Sequence, residues 1–264
     1  MAGDSRSQKG KKESISAFFP AYNDAATIAD LSTTALNVLS TFTDDYEVLV
    51  INDGSVDETG KILERLAKQN PRIRVIHHKS NQGYGAALRT GFNNASKDLI
   101  FYTDGDGQYD VRELALLHPL LGAEIDIVNG YKIKRVDTFS RLLLGGIYNR
   151  LAHLVFRLPI RDVDCDFRLI RRRAMERIEL GASSGVICVE LVHKLHTSGA
   201  VFAEVPVHHF PRTAGKSQFF TLRRVAQTAL DFVRLWLRLV VRPVFAFRTS
   251  PSRSNATRDG QRVL

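Results

Sequence analysis

Cysteine is scarce in this chain of 264 residues, which contains only two, Cys165 and Cys188. Neither belongs to a Cys-x-x-Cys pair, so a disulfide framework and a cysteine-based zinc site are excluded, and both thiols are predicted to be reduced and in the core. Long apolar runs are also missing: no stretch approaches the roughly 18 uncharged residues of a conventional transmembrane helix. Residues 1–14 are polar and lysine-rich, which predicts a disordered leader rather than a signal peptide.

The composition is that of a globular chain with an uneven charge. Apolar residues make up 44% and charged residues 25%, enough for a sizeable core. Residues 1–130 hold 13 basic and 18 acidic side chains, whereas residues 131–264 hold 24 basic and 10 acidic ones. The basic half predicts contact with an anionic partner, either a membrane or a nucleic acid, although a solvated basic face explains the composition equally well.

Apolar segments alternate with helix-like segments through the first half of the chain. Strands are predicted at 15–19, 46–51, 73–77, 99–103 and 125–129, and helices at 27–42, 57–69, 85–94 and 113–121. This alternation is typical of right-handed βαβ units and a largely parallel sheet. The second half is less regular, with helices predicted at 139–156 and 186–196, a strand at 201–207, and an apolar, arginine-rich segment at 222–247.

Polar turns follow three of the predicted strands, at residues 20–24, 52–55 and 104–108. Ligands of open parallel sheets bind outside the carboxyl ends of the strands, so these turns are expected to converge on one crevice. Asp53 can accept hydrogen bonds from the base or ribose of a nucleotide. The alternative is that Asp53 belongs to a turn that caps the helix beginning near Asp57.

The third turn carries two carboxylates one residue apart, Asp104 and Asp106, followed by the amide of Gln108. These oxygens can hold Mg²⁺ or Mn²⁺ while leaving coordination positions for phosphate oxygens. Gly105 and Gly107 let the backbone bend around a ligand. A solvated acidic turn is the alternative. The glycine-rich stretch 81–85 matches only half of a dinucleotide fingerprint and follows the third strand, which excludes a NAD-type site.

Six motifs in this order resemble those of family 2 glycosyltransferases with the GT-A fold. They are residues 19–24, 51–59, 81–87, 103–108, 162–169 with the following 171–173, and 212–217. The last two are similar to the branch of dolichol-phosphate mannose synthases and polyprenyl-phosphate glycosyltransferases. The resemblance covers about residues 15–245. Two departures stand out: Asn52 replaces the usual aspartate, and Asp166 replaces the usual glycine before Phe-Arg.

The resemblance implies roles for individual residues. Nucleotide-sugar binding is expected of Pro20, Ala21, Tyr22, Asp24, Asp53, Asp104 and Gly105. Metal binding is expected of Asp104, Asp106 and Gln108. Phosphate or acceptor binding is expected of Lys132, Arg135, Arg141, Lys216 and Ser217. The catalytic group comprises Asp106 and Arg212, with Asp164 and Asp166 as positioning residues or as a base for a hydroxyl acceptor, while Asp162 could equally cap a turn.

The implied reaction is inverting transfer of a sugar from a GDP- or UDP-linked donor to a polyprenyl phosphate, with Mg²⁺ or Mn²⁺. The expected location is peripheral, on the cytoplasmic face of an anionic membrane, without a nucleic-acid partner. The segments expected to contact the membrane are 139–156 and 222–247, where arginines recur every four residues beside Trp236. The predicted division is a leader (1–14), a GT-A catalytic domain (15–220), an amphipathic membrane-associating helix (221–248) and a disordered tail (249–264).

Two other functions remain open at this point. A sugar-nucleotide pyrophosphorylase also uses βαβ units and paired carboxylates, but it is expected to carry a glycine-rich basic loop where this chain has residues 20–24. A non-enzymatic module that binds a membrane or nucleic acid through its basic half would leave the acidic turn unexplained.

Overall fold

The computed structural model describes residues 12–133, 139–212 and 222–242, without the side chains of 139–143 and 222–224. A seven-stranded sheet has the order β3-β2-β1-β4-β6-β5-β7. The strands are β1 (Ile15–Ala21), β2 (Tyr46–Asn52), β3 (Ile73–His77), β4 (Leu99–Thr103), β5 (Ile127–Lys132), β6 (Phe167–Arg171) and β7 (Phe202–Val207). All neighbours are parallel except that β6 runs antiparallel to β4 and β5. The predicted, mostly parallel α/β fold is confirmed.

Helices cover both faces of this sheet. They are α1 (Ile28–Phe42), α2 (Thr59–Gln69), α3 (Tyr84–Asn94), α4 (Leu114–Leu117), α5 (Phe139–Phe156), α6 (Arg172–Met175), α7 (Ile187–Thr197) and α8 (Leu222–Trp236). The single helix predicted at 113–121 is wrong: α4 has four residues and lies between 3₁₀ turns. Pro119 lies in the second turn and has no N–H to donate to a continuing α-helix.

The alternation of side chains along the strands produces two apolar cores, one on each face of the sheet. In β1, Phe18 joins the first core while its neighbours Ala17 and Phe19 join the second. The Phe18 ring packs edge-on against Phe92 of α3 at 4.9 Å and stacks on Tyr102 of β4 at 5.4 Å. Both faces are therefore covered, as expected of a sheet built from βαβ units.

The reversed direction of β6 decides which residues reach the carboxyl edge of the sheet. Thr103, the last residue of β4, pairs with Phe167, the first residue of β6. The segment 162–166 therefore lies beside the turn that follows β4. The opposite end of β6 carries Arg171, which pairs with Leu99 at the far edge.

Helix α8 packs on the domain through one side. Leu235 is buried, and the Phe232 ring contacts Phe156 and Tyr148 of α5 at centroid distances of 5.3 and 5.6 Å. A π-helical turn, Leu237–Val241, extends it. Within the described part of the chain, no helix is both long enough and apolar enough to cross a membrane.

Candidate active site

The turn after β4 places two carboxylates in a crevice at the carboxyl edge of the sheet. We call this the edge crevice; it is bordered by residues 20–24, 104–108, 162–166 and Arg212. Burial raises the pKa of Asp104 well above its usual range, and the nearby carboxylates of Asp166 and Asp106 raise it further. Tyr84, at the start of α3, donates a hydrogen bond of 2.8 Å to Asp104 Oδ1. The crevice therefore gathers several carboxylates where burial and mutual repulsion disfavour their charged forms.

Asp106 is 8% exposed and has two partners of different kinds. The backbone N–H of Gln108 donates to its Oδ1 over 3.1 Å, and Arg212 Nη2 donates to its Oδ2. Burial raises the pKa of Asp106, although the charge of Arg212 opposes that shift. The positive charge of Arg212 thus offsets the charge of Asp106, one of the two carboxylates predicted to bind metal.

The first and third turns are in direct contact. The N–H of Gly105 donates to the Pro20 carbonyl oxygen over 3.2 Å, and a Cβ at Gly105 would lie 2.6 Å from that oxygen. Only glycine permits this approach. Asp24 Oδ2 accepts from Tyr22 N at 2.9 Å, and burial, with a contribution from Asp106, raises the pKa of Asp24 to about 6. Asp24 therefore belongs electrostatically to the same acidic crevice.

The first and second turns are joined by several hydrogen bonds. Asn23 Oδ1 accepts from Val56 N at 2.9 Å, while its own N–H donates to Ser55 Oγ at 3.0 Å. The N–H of Asp24 donates to Thr59 Oγ1 at 2.9 Å. Asn23 adopts φ 58°, a left-handed conformation that asparagine tolerates well. The two turns predicted to hold a nucleotide form one structural unit.

Asp53 orders the glycine-rich segment at 81–85. Its carboxylate accepts hydrogen bonds from the backbone N–H groups of Gln82 and Gly83, at 2.9 and 3.0 Å, and contacts His78 Nδ1 at 2.6 Å. The alternative in which Asp53 caps α2 is wrong, because Asp57 Oδ1 instead accepts from the N–H at the start of α2. A role for Asp53 in reading a base stays a prediction, since protein groups surround its oxygens.

The acidic segment 162–166 binds a lysine rather than standing free. Lys132 Nζ, at the end of β5, donates to the Asp164 carbonyl oxygen over 2.6 Å and lies 3.8 Å from the Asp162 carboxylate. Asp162 Oδ1 also accepts from Asp164 N at 3.2 Å, which is the turn-capping role considered for it. Lys132 thus brings a positive charge to the edge crevice, although here it contacts the protein.

The Asp166 carboxylate lies among buried polar groups. Its Oδ1 accepts from Cys188 Sγ at 3.1 Å and from the Tyr102 hydroxyl at 3.4 Å, and it lies 3.5 Å from Arg168 Nη1. Cys165 and Cys188 are both free and buried, as predicted. The contact between Asp166 and Cys188 was not visible in the sequence, because α7 brings the thiol from 22 residues away.

Sequence reasoning also missed Arg168, whose side chain is almost fully buried on β6. Its guanidinium donates to the Val163 carbonyl oxygen over 2.6 Å, and to Asn129 Oδ1 and the Tyr102 hydroxyl. Asp166 is its acidic neighbour. A buried arginine of this kind is costly unless an anion faces it. Arg168 therefore holds the 163–166 segment and pairs with the Asp166 carboxylate.

Four of the predicted phosphate- or acceptor-binding residues cannot be placed in the crevice. Arg135, Lys216 and Ser217 lie outside the described residues, and Arg141 lies on α5 without a described side chain. Gln108 Nε2 donates to the Phe210 carbonyl oxygen over 3.0 Å, and Phe210 N donates to the Gln108 carbonyl oxygen over 2.8 Å. The predicted metal turn is thus tied to the segment that carries Arg212.

The donor set fits a divalent cation held only in part by protein. Among the described residues, no group of three or more histidine, cysteine or acidic side chains is arranged to hold a metal ion. Asp104 and Asp106 nevertheless form a carboxylate pair in which the pKa of each is raised, so each is protonated more readily than in water. A dication would relieve that repulsion, and hard oxygen ligands suit Mg²⁺ or Mn²⁺ completed by phosphate oxygens.

The motifs and their geometry agree with a sequence comparison. The sequence model of glycosyl transferase family 2 matches residues 16–179. The chain belongs to glycosyl transferase family 2. Over 238 residues, it is 31% identical to glycosyltransferase AglD of Haloferax volcanii, covering 87% of this chain and 38% of that protein. Over 213 residues, it is 26% identical to the undecaprenyl-phosphate 4-deoxy-4-formamido-L-arabinose transferase of Enterobacter sp., covering 80% and 64%. The chain spans less than two thirds of either relative.

Solved structures confirm the GT-A fold predicted for this family 2 chain. Glucosyl-3-phosphoglycerate synthase from Mycobacterium tuberculosis, in complex with Mg²⁺ and uridine diphosphate, is similar with a TM-score of 0.63 and 17% identity, covering 86% of this chain and 79% of that one. Its complex with Mn²⁺, uridine diphosphate and phosphoglyceric acid gives a TM-score of 0.61 and 19% identity, covering 86% and 78%. Both structures of that synthase hold uridine diphosphate together with a divalent metal.

Proposed function

We propose that this protein is an inverting glycosyltransferase that moves a sugar from a nucleotide-sugar to a polyprenyl phosphate. The observation that carries the proposal is the Asp104–Asp106 carboxylate pair, with Asp106 buried and bonded to Arg212, at the edge where both nucleotide turns meet. Family membership and the undecaprenyl-phosphate relative support the donor and acceptor classes. A pyrophosphorylase is disfavoured because the first turn is Pro20–Asp24 rather than a glycine-rich basic loop.

The donor's diphosphate is the part of the substrate that the crevice suits best. Asp104 and Asp106 would hold Mg²⁺ or Mn²⁺, which neutralises charge on the leaving diphosphate when bound. Arg212 presents a planar fork of N–H donors that matches phosphate geometry, so it can exchange Asp106 for a phosphate oxygen. Removing preorganised donors of this kind typically costs a factor of about 10²–10³ in rate.

The acceptor would enter from the side of Asp164 and Asp166. A phosphate monoester is already largely ionised at neutral pH, so its attack on the anomeric carbon needs no general base. Asp166 is held by Arg168 and the Cys188 thiol and would orient groups near the anomeric carbon. Lys132 is close enough to the same segment to offset the charge of an incoming phosphate.

A lipid-linked acceptor requires contact with a membrane, and two helices offer suitable surfaces. On α5, one face exposes four apolar side chains, each at least 46% exposed: Leu144, Ile147, Leu151 and Leu154. On α8 and its extension, Leu230, Val233, Trp236 and Leu237 are exposed beside a row of arginines, Arg234, Arg238 and Arg242. Apolar faces bordered by arginines are typical of helices lying in the interface of anionic membranes. We propose this peripheral attachment; the cytoplasmic side stays a prediction.

The decisive experiment incubates the protein with radiolabelled GDP- and UDP-sugars, Mn²⁺ or Mg²⁺, and a polyprenyl phosphate. The expected product is a metal-dependent glycolipid phosphate with inverted anomeric configuration. Formation of nucleotide-sugar from nucleoside triphosphate and sugar phosphate would support the pyrophosphorylase instead. Before this assay, thermal stabilisation by GDP and UDP with metal identifies the base, because a ligand that binds only the folded state raises the melting temperature.

A further inference from the structure

The hydroxyl of Tyr148 is a buried polar group near the edge crevice. The hydroxyl of Tyr148, on α5, is closed off from solvent and has no hydrogen-bond partner among the described residues. A buried donor without a partner lowers stability, and folded proteins retain few of them. A ligand that supplies the missing hydrogen-bond acceptor would explain why this hydroxyl is present.

The neighbouring residue shows where this hydroxyl lies. Asn149 Oδ1 accepts from Val163 N at 3.1 Å, and Asn149 Nδ2 donates to the Arg161 carbonyl oxygen over 2.8 Å. These two bonds attach α5 to the segment that leads directly into Asp164. The part of α5 that carries Tyr148 is therefore held next to the acceptor side of the edge crevice.

The electrostatic surroundings agree with that position. Burial raises the pKa of Tyr148 well above its usual range, and the nearby Asp164 carboxylate, the Cys188 thiol and the Asp166 carboxylate raise it further. The phenol therefore keeps its proton at neutral pH and can only serve as a neutral hydrogen-bonding group. Its ring is fixed from the other side by Phe232 of α8, at a centroid distance of 5.6 Å.

Tyr148 also marks the boundary between polar and apolar surfaces. Its neighbour Ile147 is 47% exposed, and Leu144 and Leu151 on the same helical face are exposed to a similar degree. A polyprenyl phosphate has the same division, with an anionic head and a hydrocarbon chain. A phosphate monoester offers several acceptor oxygens, which a phenol donor complements.

We propose that the Tyr148 hydroxyl donates a hydrogen bond to a phosphate oxygen of the lipid-phosphate acceptor, whose hydrocarbon chain follows the exposed apolar face of α5. The inference rests on the proposed function and deepens it, by assigning acceptor recognition to a residue outside all six sequence motifs. The hydroxyl is closed off from solvent in this structure, so contact with the phosphate requires local rearrangement around Tyr148.

The test is Tyr148→Phe, which removes one oxygen and keeps the ring against Phe232. We expect the KM for the acceptor to rise about tenfold or more, as for loss of a hydrogen bond to a charged group, while the KM for the donor is unchanged. The melting temperature of the ligand-free variant should be unchanged or higher, because an unpaired buried donor has been removed. Tyr46 lies at the start of β2, where its ring stacks with Arg72. Tyr46→Phe is the matched control, and it should change neither the acceptor KM nor the melting temperature.

Two acceptors of different length distinguish recognition of the phosphate from recognition of the hydrocarbon chain. With farnesyl phosphate and with undecaprenyl phosphate, the Tyr148→Phe effect should be equal, since the hydroxyl contacts the shared phosphate. An effect confined to the long acceptor, a rise in the donor KM instead, or a lower melting temperature with an unchanged acceptor KM would each overturn the inference. If wild-type protein transfers sugar to neither acceptor, the proposed function fails as well; if it transfers and Tyr148→Phe is normal, only this inference fails.

Discussion

Arg212 donates a hydrogen bond to the carboxylate of Asp106, joining residues that are 106 positions apart in the chain. The pair links the turn after β4 to the segment after β7, and the bonds between Gln108 and Phe210 reinforce it. The arginine therefore contacts a carboxylate that is predicted to bind metal. Binding of a metal and a diphosphate would give each residue a new partner of opposite charge, the metal for Asp106 and the diphosphate for Arg212.

Asp106→Asn should abolish transfer without unfolding the protein. The folded protein raises the pKa of Asp106, so its charge is not a source of stability, and an amide should be tolerated. Loss of charge stabilisation at the diphosphate should lower the rate by about a hundredfold or more. Transfer assays and melting curves check both parts, with Asp110→Asn, in the neighbouring turn, as a control of normal activity. Equal wild-type activity in EDTA and in Mn²⁺ would contradict the metal assignment.

Arg212→Lys should impair transfer although it keeps the positive charge. Lysine cannot present two parallel N–H donors to a phosphate, so we expect about a tenfold loss in kcat/KM. Arg212→Met should lose more. Arg112→Lys, at an exposed arginine that contacts Asp110, serves as the control. Unchanged kinetics in Arg212→Lys would show that this segment is an ordinary basic surface loop.

Glu47 should make stability depend on pH in the acid range. Burial would raise the pKa of Glu47, but hydrogen bonds from Arg74, Ser16 and Ser96 outweigh it and lower the pKa from 4.5 to about 2. A lowered folded pKa adds stability above pH 4.5, and that stability is lost as the pH falls towards 2. Glu47→Gln should therefore cost on the order of 2 kcal/mol at pH 7 and progressively less below pH 4.5. Urea unfolding of both proteins at pH 7, 4 and 3 measures the difference; a constant difference would contradict the assignment.

Membrane binding should depend on the exposed apolar face of α5. Leu154 is 78% exposed, so Leu154→Glu should leave the fold intact and weaken co-sedimentation with anionic vesicles. Leu116→Glu introduces the same charge at an exposed leucine of α4 and should bind vesicles normally. In the wild type, the emission of Trp236 should shift to the blue with vesicles, and high salt should reduce the shift. Equal binding by both variants would argue against α5 as the contact.

The βαβ order, the polar turns and the acidic pair were predictable from the sequence, because these features depend on local periodicity and on residue chemistry. Asp104 and Asp106 follow an apolar strand closely enough that their place at the carboxyl edge was predictable. The Gly105 approach to Pro20 is also a consequence of residue type, since no other side chain fits there.

The partners of these residues, by contrast, follow from how distant parts of the chain pack together. The antiparallel direction of β6 brings Asp166 beside Asp104, and α7 brings Cys188 to Asp166, although strand direction leaves no local mark in a sequence. Asp53 was predicted to face a nucleotide, yet its oxygens bind the 82–83 backbone and His78. Tyr148 lies outside every motif, and Arg168, although it lies within the 162–169 motif, had no predicted role. Burial decides the importance of both residues, since it turns an ordinary arginine into a costly charge and an ordinary hydroxyl into an unpaired donor, and burial is a property of the whole fold.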